Sequence, residues 1–377
     1  MKKRYCIFSA QYLPHMGGVE RYTYNLAKKL VEKGNDVTVV TSNVENVLYY
    51  EHMDGIQVYR MPCFNFMNGR FPVLKLNRQF WKMHRIISKK SYDLIVVNTR
   101  FYIHSIYGAI FAKKRARCIF IEHGTSHLTL HNRFLDFAEN IVEHLMTKVE
   151  IHFCKEFYGV SNACVDWLIH FNIQGKGTLY NAVELSDFED NSEESLRQFR
   201  EKYKIPKDAI VITFTGRLLK EKGILTLIKA VEELNKVNKN IYLLIAGDGD
   251  EESTVRQMKT KNIIPLGRIS ADRIIALLKE SDIFCLPSDS EGMSTSVLEA
   301  AACKCYIITT KQGGAVELII DDNYGMIIDN NDIQTVIRAI EKAIAQKDKR
   351  RRAVELTYDR LKELFTWDKV ADKIMKI

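Results

Sequence analysis

The chain has 377 residues, enough for two domains with separate cores, an ordinary 46% apolar content and a net charge of +8. No apolar run reaches the roughly 18 residues of a membrane-spanning helix, and the apolar stretch after Met1–Arg4 is too short for a signal peptide. The eight cysteines are scattered with no CxxC pair, which speaks against a metal site or a disulfide framework and for reduced thiols in a cytoplasmic protein.

The first half alternates short β-branched or aromatic runs with helical patterns. Strands are predicted over Arg4–Ser9, Asp36–Thr41, Ile56–Arg60, Asp93–Asn98 and Cys118–Glu122. Helices are predicted over Val19–Glu32, Leu76–Lys89, Tyr102–Lys114 and Arg133–Glu150. Gly34-Asn35 stops the first helix. Such alternation implies a parallel sheet covered on both faces. Residues 186–194 turn polar and Pro206 precedes a new strand, so a linker is expected between about 180 and 206. A second series follows, with strands Ala209–Thr215, Ile241–Ala246, Ile263–Leu266, Ile283–Leu286 and Tyr306–Thr309. Its helices are Gly223–Asn235, Glu252–Lys259, Ala271–Lys279, Ser296–Ala302 and Ile333–Gln346. The basic run Lys347–Arg352 reads as a solvated helix face ahead of a last segment, 365–377. The expected fold class is α/β: a first doubly wound domain at 1–185, a second at 206–364, and a cleft between them where ligands meet the carboxyl ends of the strands.

Charge is uneven. Residues 1–180 hold 24 Lys+Arg against 14 Asp+Glu, and the remainder 31 against 33. A basic first half suits an anionic membrane, a nucleic acid or a phosphate-bearing substrate. No RNP, zinc or helix-turn-helix signature accompanies it, so no nucleic-acid partner is expected. Within 75–90, Leu76, Phe80, Met83 and Ile87 form one helical stripe, while Arg78, Lys82, Arg85 and Lys89 form another, about 200° round, with Trp81 between. Two readings stand. The helix packs its stripe on its own sheet, or it lies on an anionic bilayer; the first is slightly favoured.

Several loops sit at predicted strand ends. Gly17-Gly18 leads into the first helix and lets a ligand approach backbone, or makes a tight turn. His123 follows the fifth strand and either bonds a ligand hydroxyl or is structural. Arg217 and Lys222 flank a loop entering a helix, where two cations can neutralise a diphosphate without a metal. Glu291-Gly292-Met293-Ser294 leads into a helix that carries Glu299, eight residues on. The free N–H groups of that helix start suit phosphate, and acids on either side suit hydroxyls. Gly313-Gly314 opens another helix, and Gly247-Asp248-Gly249 and Gly267-Arg268-Ile269 follow two further strands. No GxGxxG opens either half, which disfavours a NAD enzyme.

Taken in order, these pieces resemble the retaining glycosyltransferases of family 4, with the GT-B fold, over nearly the whole chain. The components are Gly17-Gly18-Val19-Glu20, Gly159–Asn162, Asn181–Glu184 with Phe188, Gly216-Arg217 with Lys222-Gly223, Gly247–Gly249, Glu291 and Glu299, and Gly313-Gly314 with Glu317. The resemblance implies a hexosyltransferase that needs no metal or cofactor. It implies that Arg217 and Lys222 hold the donor pyrophosphate, and that Glu291 meets the donor sugar beside the N–H groups of Gly292, Met293 and Ser294. It gives Glu299 the ribose, Arg268 and Ile269 the base, Gly17 and Gly18 the phosphates, His123 the sugar, and the last helix a return to the first domain. Met293 and Ser294 stand where many members have Phe then Gly or Pro, so the sugar stays open. A UDP-sugar is favoured over a GDP-sugar. A lipid-linked or growing cell-envelope glycan, of capsule or lipopolysaccharide type, is the expected acceptor, and the inner membrane face the expected place. Another GT-B enzyme, an epimerase or phosphorylase, or a non-catalytic sugar-nucleotide-binding module are the alternatives.

Overall fold

The computed structural model describes residues 2–377 apart from 67–68, 70, 128–132, 190–197, 238–239 and 259. Residues 190–197 of the expected linker and the predicted helix end Lys259 therefore lie outside the described residues. Two compact units emerge, Met1–Asn181 with Trp367–Ile377, and Ala182–Thr366.

The first unit contains β1 (Arg4–Ser9), α1 (Gly18–Glu32), β2 (Asp36–Ser42), β3 (Tyr50–Met53), β4 (Ile56–Met61), β5 (Cys63–Phe66), β6 (Phe71–Leu74) and α2 (Arg78–Ser88). It continues with β7 (Leu94–Asn98), α3 (Ile103–Ala112), β8 (Arg117–Glu122), α4 (Arg133–Phe153), β9 (Phe157–Gly159) and α5 (Asn162–Trp167). Its seven-stranded sheet has the order β3-β4-β2-β1-β7-β8-β9. Only the β3 edge runs antiparallel. β5 and β6 form a separate hairpin. β7 is buried at every position, as expected of a central parallel strand covered on both faces.

The second unit contains α6 (Gln198–Lys202), β10 (Ile210–Thr215), α7 (Ile224–Val237), β11 (Ile241–Ala246), α8 (Glu252–Gln257), β12 (Ile263–Gly267) and α9 (Ala271–Lys279). There follow β13 (Ile283–Leu286), α10 (Thr295–Ala302), β14 (Tyr306–Thr310), α11 (Ala315–Leu318), β15 (Met326–Ile328), α12 (Ile333–Ala345) and α13 (Lys347–Leu364). Its sheet is parallel throughout, in the order β12-β11-β10-β13-β14-β15. The chain winds outward from β10 to β12, then returns to lay β13 beside β10. That reversal is a topological switch point, where the loops leaving two adjacent strands splay apart and make room for a ligand.

The last helix, α14 (Trp367–Lys376), belongs to the first unit. It buries Trp367, Val370, Ala371 and Ile374. The Trp367 ring meets Tyr22 of α1 edge-on at 5.1 Å, and Lys33 pairs with Asp368 at 3.0 Å and Asp372 at 2.9 Å.

One expectation changes, and for α2 the favoured of the two readings holds. Arg350 of the basic run is buried rather than solvated, while Lys347, Arg351 and Arg352 are exposed. The apolar stripe of α2 faces inward: Phe80, Met83 and Ile87 join the core under the sheet, and Leu76 stays out at 65% exposure. A stripe held by its own sheet cannot enter a bilayer. The basic stripe of Arg78, Lys82, Arg85 and Lys89 is exposed, with Trp81 among it.

Candidate active site

β10 ends at Thr215, and Gly216-Arg217 leaves it at the switch point with Arg217 exposed. The chain then makes one tight turn, Lys220–Lys222, closed by Gly223 in the left-handed region at φ 71°. A Cβ on Gly223 would fall 2.0 Å from the carbonyl oxygen of Pro287, so only glycine lets this turn seat on the end of β13. The seat is stitched further by Asp289 N–H donating to the Glu221 carbonyl at 2.7 Å.

From that seat Lys222 reaches across. Its Nζ donates to Glu291 Oε1 at 2.8 Å and to the Ser290 carbonyl at 2.9 Å, with both side chains 16% exposed. Two of the three ammonium protons thus hold the acidic loop after β13. The pair is 69 residues apart in sequence, and it fixes where the Glu291 carboxylate stands.

The loop then enters α10. Ser294 is its N-cap and accepts from Val297 N–H at 3.4 Å. Met293 is buried, so its side chain anchors the loop. Glu299 lies half-buried in the helix. Behind the loop runs Gly313-Gly314: Gly314 N–H donates to the Gly292 carbonyl at 2.8 Å. Gly313 has φ 60°, and a Cβ there would sit 2.4 Å from the carbonyl oxygens of both Glu291 and Gly292. The Gly-Gly loop is a close backing for the 291–294 segment.

Arg217, Lys222, Glu291–Ser294 and Glu299 therefore all lie on the loops and helix at the β10/β13 switch point. Arg268 follows β12, the edge strand beyond β11, and is exposed, 3.7 Å from Asp248. Ile269 packs partly on the core of the second unit, so its side chain is largely committed.

In the first unit, Gly17 is the N-cap of α1, and the space round the Gly18 Cα is open. His123 follows β8. Its Nε2 stands 3.4 Å from Asn98 Oδ1 and its ring meets Tyr22 edge-on at 4.8 Å. Burial lowers its pKa from 6.5 to about 3, so the imidazole is neutral across the physiological range and acts as a hydrogen-bonding group, not as an acid. The sign for stability follows: the unfolded chain protonates His123 near 6.5 and the folded one near 3, so the unit loses stability as pH falls through that window. His123→Phe is expected to flatten that part of the acid unfolding profile; an unchanged profile would show that His123 is not the group responsible.

Sequence reasoning missed what stands beneath His123. Glu122 Oε1 accepts from the N–H groups of His123 at 3.0 Å and Gly124 at 2.9 Å. Its other oxygen pairs with Arg100, which also binds Glu143 at 2.8 Å and Thr147 at 3.0 Å, and lies 3.6 Å over the Phe171 ring. All the ions of this cluster are buried. The sequence offered only a charge in a predicted helix (Glu143), one at a predicted strand end (Glu122) and one in a loop (Arg100), and surface segments carry the same residues.

The fold and the order of these loops match known proteins. Residues 16–187 match the model of Glycosyltransferase Family 4, and 196–360 that of Glycosyl transferases group 1. An uncharacterized glycosyltransferase of Methanocaldococcus jannaschii is 28% identical over 390 residues, covering 100% of this chain and 98% of that protein. The phosphatidylinositol N-acetylglucosaminyltransferase GPI3 subunit of Saccharomyces cerevisiae is 24% identical over 379 residues, covering 97% of this chain and 80% of its own. Among solved structures, HepE of Anabaena in complex with UDP superposes with a TM-score of 0.75 at 18% identity, over 100% of this chain and 99% of that one. The same protein has been solved with UDP-glucose. The chain belongs to glycosyltransferase family 4 and has the GT-B fold.

Proposed function

We propose that this glycosyltransferase moves a hexose from a nucleotide diphosphate sugar to an acceptor hydroxyl with retention at the anomeric carbon. The observation that carries the donor half is the Lys222–Glu291 pair set beside the N-terminus of α10 at the switch point. Lys222 and the exposed Arg217 would take the pyrophosphate, and the α10 N–H groups would add partial positive charge. Glu291, Glu299, Gly18 and His123 take the roles that the family resemblance implies. Two cations can then balance the leaving diphosphate, which is why neither a metal nor a cofactor is included.

For the retaining step, Glu291 is the one tempting nucleophile. Its ion pair with Lys222 favours the other route, where the carboxylate binds sugar hydroxyls and the leaving phosphate takes the acceptor proton on the same face. Glu291→Gln keeps shape and loses nucleophilicity. Substantial residual turnover is expected; complete loss with intact donor binding would favour the covalent route.

UDP is preferred to GDP because HepE was solved with UDP and UDP-glucose. A thermal-shift screen of UDP-, GDP- and ADP-sugars tests it. A donor at 100 times its Kd should add about 2.7 kcal/mol of stability. No shift with any of them would remove the donor assignment.

A lipid-linked or cell-envelope glycan is the proposed acceptor, with the protein peripheral on the inner membrane face. Among the described residues no helix is long and apolar enough to cross a membrane. The yeast relative is named for a phosphatidylinositol acceptor. The exposed basic face of α2 with Trp81 suits anionic headgroups. Phe137, Ile141, Leu145 and Val149, spaced by four along α4, are exposed and offer an apolar contact. Sedimentation with anionic vesicles should be salt-sensitive and should weaken by about 1 kcal/mol for each of Arg78, Lys82 and Arg85 changed to Gln. Equal binding to neutral vesicles would end the electrostatic part of this reading.

A further inference from the structure

A cluster in the first unit, built partly on the loop after β8 that also carries His123, has the geometry of a metal site. His127 follows the β8 loop, His144 lies on α4, and His170 lies in the short turn Leu168–Phe171 after α5. One ring nitrogen from each falls within 4.8 Å of the others. The hydrogen bonds argue which nitrogens are left free to bind. His127 Nδ1 stands 2.5 Å from Glu143 Oε2, and a carboxylate accepts, so this nitrogen carries the proton. His144 Nδ1 stands 2.8 Å from the Asn140 carbonyl, which can only accept, so it too carries the proton. Both rings are thereby left with a bare Nε2 when neutral.

An imidazole whose far N–H is held by a carboxylate or a backbone carbonyl is the arrangement that orients a metal-binding histidine. The third ring agrees. His170 Nε2 lies 3.1 Å from His127 Nε2, and its ring is stacked on Trp167 at 4.8 Å. Two nitrogens bound to one tetrahedral zinc at about 2.0–2.1 Å stand roughly 3.3 Å apart. The charge balance also favours a cation. Behind the rings two buried carboxylates, Glu122 and Glu143, face one guanidinium, Arg100.

We propose that His127, His144 and His170 bind one divalent cation of the zinc class through their Nε2 atoms, with Glu143 orienting His127. Glu143 is shared with Arg100, and Arg100 with Glu122, whose free-standing oxygen holds the backbone of His123 and Gly124. The ion would stabilise the loop that carries His123. It needs no part in the transfer reaction, and its fourth position is left to water.

Tag-free full-length protein, stripped with chelator, is titrated with Zn2+ by calorimetry and with Co2+ by visible absorption and tryptophan fluorescence. One ion per chain is expected, with the intense visible bands of tetrahedral Co2+ and quenching of Trp167, which stacks on a ligand. His170→Gln and His144→Gln should each lower affinity by more than the roughly 10–100-fold that loss of an outer partner costs, with circular dichroism unchanged. The Glu143→Gln variant should fall within that 10–100-fold range. Absence of a one-to-one site in the wild type overturns the proposal. So does undiminished binding in the folded His144→Gln/His170→Gln variant, and so does a Co2+ spectrum of octahedral intensity.

Discussion

Arg217→Ala is expected to lower kcat by about 10²–10³-fold, equivalent to about 2.7–4 kcal/mol of transition-state stabilisation. The reasoning begins with where charge appears. Breaking the bond between a sugar and a diphosphate places new negative charge on the leaving oxygen, and cations near it stabilise the transition state more than the ground state. Arg217 is exposed at the carboxyl end of β10, so its loss should leave the fold intact. Arg217→Lys keeps the charge and loses the planar fork, and should recover part of the rate. Lys222 is a different case. Its ammonium is already bound to Glu291 and Ser290, so Lys222→Met should raise KM for the donor as well as lower kcat, because Glu291 loses its anchor. Steady-state kinetics with a fixed acceptor separate the two. A kcat for Arg217→Ala within threefold of wild type would remove Arg217 from the leaving group.

The contrast between these two cations shows where the sequence could be read and where it could not. Continuous apolar runs made the central strands β1, β7, β10, β11 and β13 legible, because a strand buried on both faces has no polar side to interrupt it. The edge strands β3, β9 and β15 and the hairpin strands β5 and β6 have only three or four residues each, too few for a period to show. The site loops were legible because glycine at strand ends has a backbone reason to be there. The Gly313 backing of the Glu291 loop and the Gly223 seat on Pro287 supply that reason as contacts. Side-chain partners were not legible. Lys222 reaching Glu291, and Arg100 reaching Glu122 and Glu143, are consequences of packing between elements distant in sequence. The α2 stripe was ambiguous for another reason. An apolar face at helical period is the same pattern whether a sheet or a bilayer covers it.

The buried ions under His123 support the second large prediction. Arg100→Leu should destabilise the first unit by about 3–5 kcal/mol, since it leaves two buried carboxylates without their cation. All three tryptophans, Trp81, Trp167 and Trp367, lie in that unit, so urea unfolding followed by tryptophan fluorescence reads it directly. The loss comes from uncompensated charge rather than from the worth of the ion pair itself. Arg100→Leu combined with Glu122→Gln and Glu143→Gln should therefore recover much of it. Glu150 provides the control. It is fully buried, and burial pushes its carboxyl well above the ordinary 4.5, so the folded unit favours its protonated form. Its contribution is present below the unfolded value and lost as pH rises through the folded one. Glu150→Gln, which cannot ionise, should therefore flatten the loss of stability as pH rises above 4.5. An Arg100→Leu penalty below about 1 kcal/mol would show that the carboxylates take up protons or water instead, and that the cluster does not hold the His123 loop through charge.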